Sequence, residues 1–327
     1  MKVLFIGGTG IISTACTRLA AARGIELYLL NRGQHPVEVP AGVRQLRADI
    51  ADPEAARRVL ADHQWDAVVD WIVFDVAAVE RDLALFADRT RQYVFISSAS
   101  AYQKPPTDHV ITESTPLANP FWEYSRKKIA CEERLLSEYR ERGFPVTIVR
   151  PSHTYGPTML PTAVGRGPTV VSRIRAGQPV IVHGDGESLW VLTHNTDFAR
   201  AFTGLLGNPR AIGHAYHITS DEALTWNQIY DRLGTALGLA PKIVHVPADL
   251  INRYDPATGA GLLGDKAISV VFDNTKIKRL VPGYVATVPF SEGVKECIAW
   301  LDADPARLAV DPGRDAWMDR LLRDFPA

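Results

Sequence analysis

Short apolar runs separated by longer amphipathic stretches set the pattern of the first half of this chain. Val3–Ile6, Leu27–Leu30, Ala67–Val69, Tyr93–Ile96 and Val146–Val149 are the apolar runs, and Val43–Arg47 is a further strand candidate. They are too short for helices and read as strands buried on both faces. Between them, Ile11–Arg23 reads as a helix stopped at Gly24, and Val76–Ala87 as another. Pro53–Asp62 has an Asp52 N-cap and a proline at its first position, both helix-start signals. A longer helix begins near Tyr124 and continues through Ile129–Arg142. Buried strands alternating with helices predict an α/β chain with a doubly wound parallel sheet.

The pattern changes after Arg150-Pro151. Pro and Gly crowd residues 151–187, which predicts mostly loops. Helix signals return near Thr196–Leu206 and Thr225–Leu237. Asp302–Ala327 is charged, with Trp300 and Trp317 as packing anchors. The expected organisation is a first domain over 1–150, rejoined by parts of 190–225. A smaller, mainly substrate-side domain then covers 151–327.

Composition narrows the class only a little. The 327 residues are 46% hydrophobic and 22% charged, ordinary for a folded chain. The formal net charge of −1 lends no support to nucleic-acid binding. Cys16, Cys131 and Cys297 are far apart and form no metal or redox pattern. No apolar run approaches a membrane span or a signal-peptide core. A soluble protein of the reducing cytoplasm is expected.

Candidate chemistry begins at Gly7-Gly8-Thr9-Gly10-Ile11-Ile12-Ser13, which joins the first strand to the first helix. A helix N-terminus reached through glycines accepts a pyrophosphate on its free N–H groups. Gly7, Thr9, Gly10, Ile11 and Ile12 are therefore candidate cofactor contacts. Ser13 stands where a third glycine usually lets helix and strand pack closely. The second strand ends in Asn31-Arg32, without the acid that holds the ribose hydroxyls of NAD. Arg32 suits a 2′-phosphate, which favours NADP over NAD. Asp49, with Ile50 beside it, either receives the adenine amino group or caps the next turn.

A second cluster is Ser97-Ser98 at a strand end, followed by Tyr124 and Lys128. Tyr and Lys at i, i+4 share a helix face. A free phenol has a pKa near ~10, too high for an efficient base at neutral pH. A lysine one turn away supplies positive charge that stabilises the phenolate. Ser98, at a strand C-terminus, can hydrogen-bond the substrate oxygen. Lys127 competes for the lysine role, and the pair alone could equally be a half-exposed helix face.

Taken together, these motifs resemble the extended short-chain dehydrogenase/reductases. Gly7-x-x-Gly10, Ser98, Tyr124-x-x-x-Lys128 and Arg150-Pro151-x-x-x-Tyr155-Gly156-Pro157 carry the likeness. Gly184-Asp185-Gly186, His194-x-x-Asp197-x-Ala199, Asp273-x-x-Lys276, Leu280, Gly293 and Trp300 extend it. Within that group the chain is similar to the NAD-dependent epimerase/dehydratase family. The resemblance implies a Rossmann fold and an NAD(P) cofactor. It implies Tyr124 as general acid/base, Lys128 holding the nicotinamide ribose and lowering the tyrosine pKa, and Ser98 orienting the reacting oxygen. It sets Ser97, Pro151 and Ser152 near the cofactor, with His153 on the substrate side. A homodimer through a four-helix bundle that includes the Tyr124 helix also follows from it.

Two departures narrow the function. Sugar-nucleotide 4,6-dehydratases carry Asp-Glu after the catalytic Ser/Thr, whereas here Ala99 and Ser100 follow. Neither is a carboxylic acid, so that dehydration is not expected. Relatives acting on nucleotide sugars often place a diphosphate-gripping Arg shortly before the Asp of His-x-x-Asp. Trp190 occupies that place. An indole cannot replace a bidentate phosphate contact, but it can stack on a sugar or pack between domains. Arg166, Arg173 or Arg175 could take over the diphosphate. Ser100, Tyr102, His153 and Trp190 are the candidate substrate contacts. Trp71, Phe74, Trp122 and Tyr155 are further aromatics for the cleft or the core.

The expected function is hydride transfer at a secondary alcohol or ketone of a sugar or sugar derivative, by an epimerase or an oxidoreductase. An NADPH-dependent reductase of a non-sugar ketone is the alternative. A non-catalytic cofactor- or RNA-binding protein, similar to chloroplast stem-loop binding proteins, is the reading from another class. The expected partner is a small-molecule substrate, with no nucleic acid, membrane or metal.

Overall fold

The computed structural model describes residues 1–34 and 38–325. The apolar runs form one seven-stranded parallel sheet. In chain order its strands include β1 (Lys2–Ile6), β2 (Glu26–Asn31), β3 (Arg44–Arg47), β4 (Ala67–Asp70) and β5 (Tyr93–Ile96). The strands Val146–Pro151 and Ala215–Ile218 complete it. Across the sheet the order runs Ala215–Ile218, Val146–Pro151, β5, β4, β1, β2, β3. The order reverses between β1 and β4, which opens a crevice at their C-terminal ends.

Helices α1 (Ile11–Ala22), α2 (Pro53–Leu60), α3 (Val76–Phe86) and α4 (Glu123–Arg142) connect the strands. Asp52 caps α2 by accepting from the Glu54 and Ala55 amides at 3.1 Å, and Pro53 is the first helical residue. Helix α4 ends at Gly143, whose φ of +73° is left-handed and easy only for glycine. The two sheet faces bury separate cores, one around Phe5, Leu29 and Phe202, the other around Leu4, Phe95 and Leu135. Helix Asn195–Leu205 packs beside α1. It carries Phe198 and Phe202 into the first of these cores.

A third core builds the other side of the molecule, around Val170, Val182, Trp190, Trp226 and Tyr230. The stretch 151–187 is about half regular structure and half loop. It holds strand His153–Tyr155, helix Gly167–Arg175 and strand Pro179–His183. The Gly and Pro residues there mark the ends of short elements: Pro168 lies in the first turn of its helix, and Pro179 opens its strand. The charged tail contains helix Pro312–Asp324, anchored by buried Trp317, Met318 and Leu321. No helix among the described residues is long and apolar enough to cross a membrane.

Candidate active site

A cavity of about 470 Å³ lies at the C-terminal ends of β1, β2 and β3 and reaches Ile72 just after β4. Gly7, Thr9, Asn31, Arg32, Asp49 and Ile50 line it, together with Ile72 and Arg81. Gly7 and Gly8 have φ of +93° and +89°, which turns the chain sharply from β1 into α1. A Cβ on Gly8 would lie 2.7 Å from Leu29 Cδ2, so glycine is required there for space as well. Ser13, the departure from a third glycine, is buried, and its hydroxyl accepts from the Gly10 amide at 2.8 Å. The first-turn amides of Ile11 and Ile12 have no acceptor within the helix and remain for an anion. Gly10, Ile11 and Ile12 form this helix end beside the cavity wall.

Asn31 Oδ1 accepts from the Gly33 amide at 3.0 Å and shapes the turn that carries Arg32. No carboxylate stands at the end of β2. Asp49 Oδ1 accepts from the Ala51 amide at 3.0 Å, so it caps its turn while also lining the cavity. Arg47, the register partner of Asn31, lays its side chain 3.5 Å from where a Cβ of Gly33 would be. Sequence reasoning passed over Arg47, because only the sheet register sets it beside Asn31. The open glycine turn, the free helix end and the basic rim fit a dinucleotide.

A second cavity, of about 220 Å³, lies against the start of α4. Ser98, Ser100, Tyr124, Pro151, Ser152, His153 and Trp190 all line it. Asn119 sets the helix start: its Oδ1 accepts from the amides of Phe121 (3.2 Å) and Trp122 (3.0 Å). Trp122 packs against the Tyr124 ring at 4.9 Å between centroids.

Three hydroxyls form a chain. Ser125 Oγ donates to Ser100 Oγ at 2.8 Å, and Ser100 Oγ lies 2.9 Å from Ser98 Oγ, where either can donate. Ser98 Oγ also accepts from the Ser100 amide at 3.2 Å. When Ser100 gives its proton to Ser98, the Ser98 O–H is free to donate to a reacting oxygen. Ser125 was missed from sequence; its place beside Tyr124 was the available signal.

Lys128 lies behind the phenol. Its Nζ donates to the carbonyls of Val73 (2.6 Å) and Ile96 (2.8 Å), and its pKa is lowered to about 8 by burial. Its Nζ is 5.8 Å from the Tyr124 ring centre. The Tyr124 pKa is raised, chiefly by burial, with Ser98 opposing and Asp265 adding to the rise. Lys128 is not among the groups that shift it, and desolvation of the phenolate dominates. Lys127 is exposed and paired with Glu123 at 3.0 Å, which removes it as a competitor. Ser97 gives its proton to buried Glu132 at 2.5 Å, and Arg150 holds Glu132 from the other side at 2.9 Å. Ser97 thus lines neither cavity and serves as a brace between β5 and α4.

Several expected substrate contacts belong elsewhere. Tyr102 is fully buried, bonded to His217 Nδ1 at 3.0 Å and packed under Arg150. It lines neither of the two cavities, because the 3-10 turn Ala99–Ala101 carries it into a small core with Phe272. Tyr155 is buried against Phe290, and Trp71 packs on Phe5 and Phe202. Arg173 is buried and bound to Asp315 and Asp319, and Arg175 is bound to Asp302. Neither is available for a diphosphate. Arg166 lines a neighbouring cavity of about 320 Å³, which shares His153 as a wall. Asp197 is buried, accepting from the Thr287 and Val288 amides, so the His-x-x-Asp motif ties a helix to a loop.

Trp190 packs on Trp226 at 5.7 Å within the third core and also lines the smaller cavity. His153 lies edge-on to it at 6.1 Å and stays neutral, its pKa lowered to about 3 by burial.

Residues 3–219 match the profile of the NAD dependent epimerase/dehydratase family. The chain belongs to that family. With it, the chain is an enzyme of the extended short-chain dehydrogenase/reductase type that binds NAD(P). It is 30% identical to 2′-dehydrokanamycin reductase of Streptomyces kanamyceticus, over all of this chain and 90% of the relative. It is 26% identical to chloroplast stem-loop binding protein of 41 kDa b of Arabidopsis thaliana, over 75% of this chain and 65% of that one. A dTDP-glucose 4,6-dehydratase from Bacillus anthracis, solved with NAD, has the same fold. Its TM-score is 0.75 at 19% identity, covering 94% of this chain and 98% of that one.

Proposed function

We propose that this enzyme is an NADPH-dependent reductase of a ketone on a sugar ring. The smaller cavity carries the reading. Ser98 and Tyr124 share it with Trp190, and no arginine is among its lining residues. At about 220 Å³ it is smaller than the roughly 300–1,000 Å³ of drug-sized ligand sites, so one ring suits it. The full-length likeness to a reductase of an oxidised aminoglycoside supports the same direction of chemistry. Arg32 in the wall of the larger cavity, with Arg47 beside Gly33, supports NADP over NAD.

A reduced nicotinamide bound in the crevice supplies hydride. This chain's residues handle the oxygen. The Ser98 O–H donates to the ketone oxygen and holds it beside Tyr124. The phenol is protonated at neutral pH and so has a proton to give that oxygen as charge develops, while burial, which raises its pKa, works against the phenolate left behind. Lys128, anchored on two carbonyls, keeps an ammonium under the ring to meet the resulting phenolate. Ala99 follows Ser98, so no carboxylate is at hand there for loss of water. A cytoplasmic homodimer is part of the reading, and the three free, buried cysteines agree with a reducing compartment.

The test is NADPH consumption with 2′-dehydrokanamycin and other keto-sugars. Net oxidation of NADPH supports the reading. Interconversion of epimers by a retained cofactor, with no net NADPH loss, would replace it with an epimerase.

A further inference from the structure

One charged group in the smaller cavity has no part in the chemistry above. Asp265 lines that cavity with Tyr124, and its proximity is felt in the raised Tyr124 pKa. Its only side-chain partner among the described residues is Lys104, whose Nζ is 3.2 Å from Oδ1. Lys104 is itself almost completely buried. An ionised carboxylate offers about four acceptor positions. The side chain is 19% exposed and has one side-chain contact, so acceptor positions remain open to donors of a ligand in the cavity.

The backbone presents this carboxylate rigidly. Asp265 sits on a π-helical turn, Leu262–Lys266, a conformation often found at functional sites. The carbonyl before it, on Gly264, accepts from Asn119 Nδ2 at 2.7 Å. The carbonyl after it, on Lys266, accepts from Ser188 Oγ (3.0 Å) and Trp226 Nε1 (3.2 Å). Asn119 is the same residue that sets the start of α4. One side chain therefore fixes Asp265 and Tyr124 relative to each other.

A carboxylate only accepts, so a ring hydroxyl meets it and a bare hydrocarbon ketone does not.

We infer that Asp265 is a specificity-determining residue that accepts a hydrogen bond from a ring hydroxyl of the substrate near the reacting carbon. Burial raises the Asp265 pKa, and the Lys104 ammonium opposes that rise and favours the ionised form. The inference rests on the ketone-reductase reading and sharpens it, since it selects polyhydroxylated rings over apolar ketones.

The test is calorimetric binding to the NADP⁺-loaded enzyme of two probes, 2-keto-myo-inositol and cyclohexanone. Both place a six-membered ring ketone in the cavity, and only the first carries hydroxyls. Binding needs no turnover, so it is read separately from NADPH consumption. The expected result is binding of the hydroxylated ketone at least about 10-fold tighter than cyclohexanone. Asp265→Leu then weakens the hydroxylated ketone by about 10–100-fold and leaves cyclohexanone unchanged, while Asp265→Asn keeps part of the affinity. If Asp265→Leu fails to fold with Lys104 unpaired, the double variant Lys104→Met/Asp265→Leu removes both charges and carries the same comparison. Equal binding of the two probes overturns the inference. So does an equal loss for both in the variant, or no detectable binding of either. Failure of NADPH consumption with selective binding intact would overturn the reductase reading and leave this one standing.

Discussion

Gly8→Ala puts a methyl group where the fold has no room. Gly8 has φ of +89°, and an alanine there costs about 1–2 kcal/mol in backbone strain. The new Cβ would lie 2.7 Å from Leu29 Cδ2 and 3.3 Å from Thr17 Oγ1. Leu29 is fully buried and cannot swing away, so overpacking adds about 1–3 kcal/mol. The sum is about 2–5 kcal/mol. At roughly 2.1 cal/mol/K per residue, unfolding this chain carries an entropy near ~0.7 kcal/mol/K, so the melting temperature drops by ~3–7 °C. Gly24→Ala is the control: its φ is +71°, but nothing lies within 4 Å of the added Cβ. Strain alone then predicts a fall of ~1.5–3 °C. Scanning calorimetry, with NADP titration alongside, measures both. Gly8→Ala should also weaken cofactor binding, because the turn and the first amides of α1 move together. Equal melting shifts for the two variants, with cofactor affinity intact, would refute the packing argument.

Three further outcomes follow from the site. Ser98→Ala removes the hydroxyl at the end of the Ser125–Ser100–Ser98 chain, so steady-state kinetics should show kcat down about 10–100-fold with KM little changed. Arg32→Ala should weaken NADP binding by about 10-fold or more and spare NAD, as read by fluorescence titration of both cofactors. Lys128 has its pKa lowered to about 8, so its ammonium is complete below that pH and is lost as pH rises through it. The rate of ketone reduction should therefore fall across that window, and Lys128→Met should be slow and lack the break.

How much of this could be read beforehand depended on whether the signal was local. Val3–Ile6 and Tyr93–Ile96 were plain as strands because both faces of the sheet are buried, which makes each run continuously apolar. Asp52-Pro53 marked a helix start by chemistry contained in two residues. Ser98 and Tyr124 stand out by spacing, and the sheet and α4 bring them to one cavity. The stretch 151–187 misled because Gly167-Pro168 and Pro179 are boundary residues of short elements rather than signs of loop. Tyr102 is an aromatic beside the reacting serines, yet one 3-10 turn directs it into the core. Asp265 follows a run of Leu and Gly with no motif around it. Only the tertiary bonds from Asn119, Ser188 and Trp226 bring that turn to the cavity.

The central claim is that Tyr124 gives the proton in a hydride transfer. Single-turnover reduction by Tyr124→Phe, with NADPH affinity measured on the same sample, tests it most directly. The account predicts a loss of about 10²–10⁴-fold in the chemical step, with the cofactor dissociation constant changed by less than about twofold. A Tyr124→Phe enzyme that keeps more than about a tenth of the wild-type rate would contradict it.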